Sequence, residues 1–363
     1  MKIGFDAKRY FHNNTGLGNY SRVLVNELCK HFPEHSYYLF DKRPNVYNHP
    51  ENAQIVKPSG SGILWREKCI VKDIAANNLD VFHGLSNELP FGHYPSSLKK
   101  IVTIHDVIFK PFPGHYKWTD RTIYDIKTRH AVKIADTIIA TSQATANDLI
   151  KYYNAEANKI AVVYQSCGPL HQLHYPADAV QDFRTSKGLN EAYLLYVSSF
   201  QTRKNHLPLI KAFAALKNKN IQLILAGRKG ETYETCVALI KSLGIEKLVN
   251  LVDDISAEDL PLLYRGAQAF VYPSMIEGFG IPLIEATYAG LPMAVNNIAV
   301  FKEIAPEGTL YFDTNNEASM VVALNQLLEK SDTKVDYGDH LKRFDEAGIS
   351  QRVVQIYAGN FTT

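Results

Sequence analysis

Short apolar runs alternate with longer stretches of helical periodicity through nearly the whole of this 363-residue chain. A strand reached only through an intervening helix pairs in parallel, and a parallel sheet needs helices on both faces. In the first half the runs lie at Lys2 to Phe5, Tyr37 to Phe40, Val81 to His83, Lys100 to Ile104, Thr137 to Ala140 and Ile160 to Val163. Helices are predicted there over Asn19 to His31, Ile63 to Asn78, Trp118 to Lys133 and Ser142 to Tyr152. In the second half the runs are Tyr193 to Ser198, Ile221 to Ala226, Val249 to Leu251, Ala269 to Tyr272 and Met293 to Asn296. The helices between them are predicted at Leu207 to Asn218, Thr232 to Leu243, Ala257 to Gly266, Pro282 to Ala289 and Ala318 to Lys330. A polar, proline-containing stretch from Cys167 to Ala177 reads as a linker, and the chain exceeds the length at which a single core stops growing. The expectation is therefore an α/β chain of two Rossmann-like, doubly wound domains, 1–176 and 177–340, facing a central cleft, with a helical segment 341–363 at the end. Ligands of such sheets sit beyond the carboxyl ends of the strands.

The bulk numbers narrow the setting. Cys29, Cys69, Cys167 and Cys236 are widely spaced with no Cys-x-x-Cys pair, which fits a reduced, cytoplasmic protein. Met1 leads straight into a strand, and no run of 18 apolar residues or charged-then-apolar leader occurs, so neither a membrane span nor that route of secretion is expected. The formal charge of +2 is unevenly divided: Lys and Arg against Asp and Glu give 21 minus 16, or +5, over residues 1–180, and 18 minus 21, or −3, over 181–363. The excess gathers where Lys110, Lys117, Arg121, Lys127, Arg129 and Lys133 interleave with Tyr116, Trp118 and Tyr124. This is either a solvated helix face with a few buried aromatics or a peripheral contact with an anionic membrane surface at the inner face of the cell membrane. No nucleic-acid partner is expected.

The most informative segment runs from Tyr272 to Pro292, with Glu277-Gly-Phe-Gly280 after an apolar strand and Pro282 and Glu285 in the helix that follows. Gly278 and Gly280 permit backbone angles that a side chain would forbid, and proline is tolerated in a first helical turn. The unpaired amides that open a helix favour an anion. Each ionised carboxylate accepts hydroxyl donors, two at a time from a vicinal diol. The plain alternative is a strand-to-helix turn with two solvated glutamates. Upstream, Arg203 and Lys204 follow the strand beginning at Tyr193, where their charges would offset those of a departing diphosphate. Near the start, Gly16 and Gly18 stand in Thr15-Gly-Leu-Gly between a strand and a helix, and His105 and Asp106 end another strand.

Taken together, Glu277 to Glu285 with Gly-Phe-Gly between them, Arg203-Lys-Asn205 some 75 residues earlier, the glycine loop and Thr103-Ile-His-Asp106 resemble the signature of retaining nucleotide-sugar glycosyltransferases of family four, the group 1 glycosyl transferases of GT-B fold. The resemblance spans about Gly4 to Asp313. It implies a hexosyltransferase that moves sugar from a nucleoside-diphosphate donor, GDP-mannose first, to a saccharide or lipid-linked saccharide acceptor in cell-surface polysaccharide or glycolipid synthesis. His105, Glu277, Arg203 and Lys204 would act at the reacting end, His105 by donating to a sugar hydroxyl or at the anomeric region. Gly16, Gly18, Gly278, Phe279, Gly280 and Glu285 would hold the donor, Glu285 through its ribose. Acceptor pockets of such enzymes lie in first-domain loops, here Asp41 to Gly62 and Phe109 to Trp118, and hinge closure completes the site. No cofactor or metal is implied, and no His, Cys and Asp cluster has convincing ligand spacing. Asn250 to Ile255 and Tyr164 to Gly168 depart from the family's usual pattern where the base would be read. A sugar-nucleotide 2-epimerase of the same fold and a nucleotide-sugar-binding protein without turnover are the alternatives.

Overall fold

The computed structural model describes residues 1–44, 49–60, 65–216, 220–253, 255–329 and 334–360. Ile63, Asn218, Asp254 and Lys330, and parts of the segments 41–62 and 341–363, lie outside the described residues. Two compact units form, Met1–Gly168 with Arg343–Thr363, and Pro169–Lys342. They part eight residues ahead of the boundary placed from sequence at 176/177.

The first unit holds seven strands, β1 (Lys2–Asp6), β2 (Ser36–Phe40), β3 (Ala53–Val56), β4 (Val81–Gly84), β5 (Lys99–Ile104), β6 (Thr137–Ala140) and β7 (Ile160–Val162). They form one parallel sheet in the order β3-β2-β1-β4-β5-β6-β7. Alternate residues feed two separate cores. Ile3, Phe5, Ile101 and Ile139 pack on one face with the helix Gly16–His31, while Phe82, Val102, Ile104 and Ile138 pack on the other with Ile70 and Ile74 of Ile70–Ala76. Burial on both faces is why these strands read as continuous apolar runs. Ser142 caps the helix Gln143–Tyr153 by accepting the Thr145 N–H at 3.0 Å. The closing helix, Glu346–Ala358, is capped by Asp345 and lies against Gly16–His31. Its Tyr357 hydroxyl meets His83 Nδ1 at 2.7 Å in the middle of β4, and Lys99 Nζ donates to the Tyr357 carbonyl at 2.9 Å.

The second unit holds β8 (Tyr193–Val197), β9 (Gln222–Ala226), β10 (Val249–Val252), β11 (Ala269–Tyr272), β12 (Met293–Asn296) and β13 (Leu310–Phe312), all parallel, in the order β10-β9-β8-β11-β12-β13. In both sheets the strand order reverses beside the first strand of the unit. The crevice falls between β1 and β4 in one and between β8 and β11 in the other, and side chains just past the carboxyl ends of those strands are the ones a ligand meets.

Among the described residues His83, His105, His171 and His206 are buried, and three of them are held far below the ordinary histidine range. His83 is pushed down to about 3 by burial and then by His105. His105 is pushed down to about 4 by burial, against its bond to Leu85 and aided by Arg9. His206 is pushed down to about 3 by burial and then Lys204, against its contact with Ser198. Each is neutral when folded but takes a proton near pH 6.5 when unfolded, so their stabilisation is complete above pH 6.5 and is lost as pH falls toward 4. The slope is about 1.4 kcal/mol per pH unit per histidine. Urea midpoints followed from pH 7 to pH 4.5 should drop steeply; a flat profile would contradict the buried, neutral assignment.

Candidate active site

In the second unit Arg203 and Lys204 occupy a single 3-10 turn, Thr202–Lys204, just past β8, and Glu277 follows β11, so the crevice brings together residues 73 positions apart. Local geometry fixes each one. Asn205 adopts a left-handed conformation (φ +60°), ending the turn and opening the helix His206–Ala214. The Thr202 N–H and hydroxyl both donate to Glu231 at 2.7 Å, and the Tyr196 hydroxyl donates to the Lys204 carbonyl at 2.8 Å. The Met275 N–H donates to the Arg203 carbonyl at 2.9 Å, tying the two loops directly.

Lys204 Nζ donates to Glu277 Oε1, Arg203 lies 3.6 Å from Oε2, and the Tyr272 hydroxyl donates to Oε1 at 3.1 Å. Both side chains of the Lys204–Glu277 pair are about 10% exposed. Burial alone would raise the Glu277 pKa, but Lys204 and then Arg203 outweigh it and hold the carboxyl below its ordinary range. Two cations face one carboxylate, which leaves a local surplus of one positive charge next to the start of the helix Ile281–Tyr288. In the glycine turn Gly280 uses its conformational freedom, at φ +114°, and the Phe279 side chain is buried. A Cβ at Gly280 would also come to 3.0 Å from Phe301.

Glu285, one helical turn further on, is buried, and its Oε2 accepts the Tyr264 hydroxyl at 2.6 Å. His171 Nε2 lies 3.6 Å from Oε1, its pKa lowered by burial despite Glu285 and further by Arg265. The carboxylate keeps lone pairs beyond the one Tyr264 uses. Sequence reading missed Tyr264, since nothing in a run of residues links it to a glutamate 21 positions later.

The first unit treats its predicted residues differently. A Cβ on Gly18 would stand 1.7 Å from the Asn13 carbonyl oxygen, and the Gly18 N–H already donates to Asn13 Oδ1 at 3.1 Å. Gly18 is thus required by close packing inside the unit. A Cβ on Gly16, in contrast, meets nothing within 4 Å. His105 Nε2 lies 2.9 Å from the Leu85 carbonyl, which can only accept, so the N–H of the neutral ring is donated there. Nδ1 faces the Gln165 amide at 3.4 Å, and Tyr20 packs edge-on at 4.6 Å. The His105 main chain is held as well, by Asn87 Oδ1 at 2.7 Å and by Thr141 at 2.9 Å. At the β1/β4 crevice beside it lies a cavity of about 310 Å³ lined by Arg9, Asn87, Glu88, Asp106, Tyr116 and Tyr124 among others. Arg66 braces its wall, bridging Asp6 at 2.7 Å and Glu88, whose other oxygen takes Lys127 at 2.7 Å. Sequence reading overlooked this network because its members are scattered from residue 6 to 127.

Among the described residues no group of three or more His, Cys, Asp and Glu side chains is placed to hold a metal ion. Residues 16–166 match the family Glycosyltransferase Family 4, and residues 179–350 match Glycosyl transferases group 1. The chain is a glycosyltransferase of the GT-B type. The enzyme is 26% identical to O-antigen chain mannosyltransferase B of Escherichia coli over 91% of both chains. It is 27% identical to O-antigen chain mannosyltransferase RfbU of Salmonella typhimurium over 71% of this chain and 69% of that one. Its fold matches Anabaena Alr3699/HepE, solved in complex with UDP and glucose, with a TM-score of 0.74 at 16% identity, covering 99% of this glycosyltransferase and all of HepE.

Removing one partner of a buried pair leaves the other charge stranded at a cost of about 3–5 kcal/mol. In this glycosyltransferase Lys204→Met should therefore cost about that much in denaturant unfolding. Adding Glu277→Leu to it should recover most of the loss. Equal stability of wild type and Lys204→Met would show that the pair is not buried in solution.

Proposed function

We propose that this glycosyltransferase moves a hexose, with retention of anomeric configuration, from a nucleoside-diphosphate sugar to a hydroxyl of a saccharide or lipid-linked saccharide during synthesis of a cell-surface polysaccharide. GDP-mannose is the favoured donor, a reading supported by the mannosyltransferase names of both curated relatives. The observation that carries the proposal is the Arg203, Lys204 and Glu277 cluster at the β8/β11 crevice.

In the transfer the bond between the anomeric carbon and the diphosphate oxygen breaks, and a bond from that carbon to the acceptor oxygen forms. Arg203 and Lys204 meet the charge that grows on the departing diphosphate. The acceptor's proton passes to that diphosphate oxygen, so no protein acid is needed at the leaving group. Glu277 takes hydroxyls of the transferred sugar while keeping Lys204 aligned, and Glu285, oriented by Tyr264, takes the ribose diol. His105 serves as a neutral positioning residue that fixes the loop between β5 and the helix Trp118–Ile134. The acceptor saccharide occupies the 310 Å³ cavity, where aromatic faces of Tyr116 and Tyr124 stand opposite hydrogen-bonding Asn87, Glu88 and Asp106.

Turnover of GDP-mannose, UDP-glucose and UDP-galactose with a lipid-linked acceptor mimic tests the reading. Lys204→Gln should lower kcat by roughly 10²-fold. The one-bond C1–H1 coupling of the product should report the donor's own anomeric configuration. An inverted product would remove retention, unchanged kcat would remove the role of Lys204, and donor turned over with neither acceptor nor hydrolysis would favour the epimerase.

The helix Trp118–Ile134 supplies Ile123, Tyr124 and Lys127 to that cavity, and it exposes Trp118 at 69%, Ile126 at 55% and Ile123 at 50%. Exposed Lys117, Arg129 and Lys133 accompany them. Large apolar groups beside cations suit the surface of an anionic bilayer, next to where a lipid-linked acceptor would enter. The enzyme should float with vesicles rich in phosphatidylglycerol and stay behind with pure phosphatidylcholine, and Trp118→Ser with Ile126→Ser should weaken flotation about 10-fold or more. Flotation that these substitutions leave untouched would refute this face as the contact. Among the described residues no helix is long and apolar enough to cross a membrane.

A further inference from the structure

A cavity of about 800 Å³ lies in the second unit at the end of the sheet opposite the donor cluster. Ala192, Ala267 and Gln268 line it, and these residues immediately precede β8 and β11, whereas Arg203, Lys204 and Glu277 follow the same two strands. With about 3.3 Å per strand residue, the two places are separated by the length of the sheet.

Three cations face this cavity, Arg184 from the helix Ala177–Ser186, Arg265 from Leu260–Gly266, and Lys334. Among the described residues none of the three forms a salt bridge, and the one carboxylate on the lining, Glu191, is exposed. Their hydrogen bonds go instead to neutral acceptors. Arg184 donates to the Glu191 carbonyl at 2.8 Å and to the Gln181 side chain, Arg265 to the Leu173 carbonyl at 2.9 Å, and Lys334 to the Ala267 carbonyl at 2.7 Å. The Nε atoms of both arginines are buried without a partner. Mutual repulsion shows in Lys334, which burial, then Arg265 and Arg184, push down to about 8.

Grouped cations are costly unless something supplies a counter-charge, because the two arginines are partly withdrawn from water and all three cations repel one another. Guanidinium forks carry paired donors that match phosphate oxygens, and an ammonium adds a compact charge. Tyr175, stacked 5.8 Å from the Arg265 guanidinium, closes one side with an aromatic face. We propose that this cavity is a second anion site, which binds a small soluble phosphate or diphosphate compound through Arg184, Arg265 and Lys334. The site is separate from the donor cluster and does not depend on the reading given to it.

Calorimetric titration with inorganic pyrophosphate tests this, provided the donor cluster is silenced so that its own cations do not answer. In an Arg203→Gln/Lys204→Gln background, pyrophosphate should still bind at one site per chain. Adding Arg184→Gln and Lys334→Gln to that background should weaken binding at least tenfold, while Lys334→Arg, which keeps the charge, should retain it. Binding abolished by the donor-cluster substitutions alone, or unaltered by Arg184→Gln with Lys334→Gln, would overturn the proposal. Unchanged melting of the Arg184→Gln/Lys334→Gln variant relative to its background separates lost binding from lost folding.

Discussion

One ion pair organises the second unit. Lys204 and Glu277 are both nearly out of water, and neither charge is tolerable there without the other. Their union fastens the loop after β8 to the loop after β11, and the backbone bond from Met275 to Arg203 repeats the link. The requirement originates in the sheet itself. Strands apolar on both faces can offer polar chemistry only beyond their ends, and the reversal of strand order between β8 and β11 leaves the one crevice where two such loops face each other without a crossover helix between them. Arg203 then adds a second cation beside the pair, which the proposed function reads as a place for an anion.

The crevice of the first unit is built on the same plan but with its charges more fully matched. Arg66 answers Asp6 and Glu88 together, and burial, which would lower its pKa, is outweighed by Asp6 and Glu88, which hold the guanidinium firmly protonated. Burial would raise the Glu88 pKa, yet Arg66 and Lys127 hold it below the ordinary carboxyl range. A balanced, braced wall beside aromatic rings suits an uncharged polyhydroxylated ligand better than a diphosphate. The two crevices differ in residual charge, which supports reading one as the donor end and the other as the acceptor end.

The legibility of the chain follows the same physics. A central strand such as β11 stands out because Ala269, Phe270, Val271 and Tyr272 are all buried apolar or aromatic residues. The two strands that sequence reading overlooked, β3 and β13, are sheet edges with half-exposed patterns, Ala-Gln-Ile-Val and Leu-Tyr-Phe. The short helices Lys8–His12 and Ala299–Ile304 carry too few turns for periodicity to register, and Ala177–Ser186 begins inside what reads as a linker. Site residues were legible where they share a segment, as Glu277 and Glu285 do. Partners such as Tyr264 and Asn13 were not, since they are chosen by the folded neighbourhood. Gly16 and Gly18 make the point most sharply: two residues apart and identical in kind, one faces open space and the other a carbonyl oxygen.

Net charge conceals this arrangement entirely. Residues 181–363 carry a formal −3, yet the same β8 and β11 strands have cations gathered beyond both their ends. Screening over about 8–10 Å confines each field to its own end of the sheet, so the acidic surface elsewhere does not cancel either. The ends differ in one respect that matters chemically. At the carboxyl end Glu277 holds Lys204 in place, so the cations are ordered by the protein itself. At the amino end backbone carbonyls do the holding, and a carbonyl fixes a cation's position without neutralising it. The charge left over is therefore larger at the amino end, where among the described residues the one lining carboxylate, Glu191, is exposed and bridges none of the three cations, which is why that end, more than the donor cluster, calls for an anion from solution.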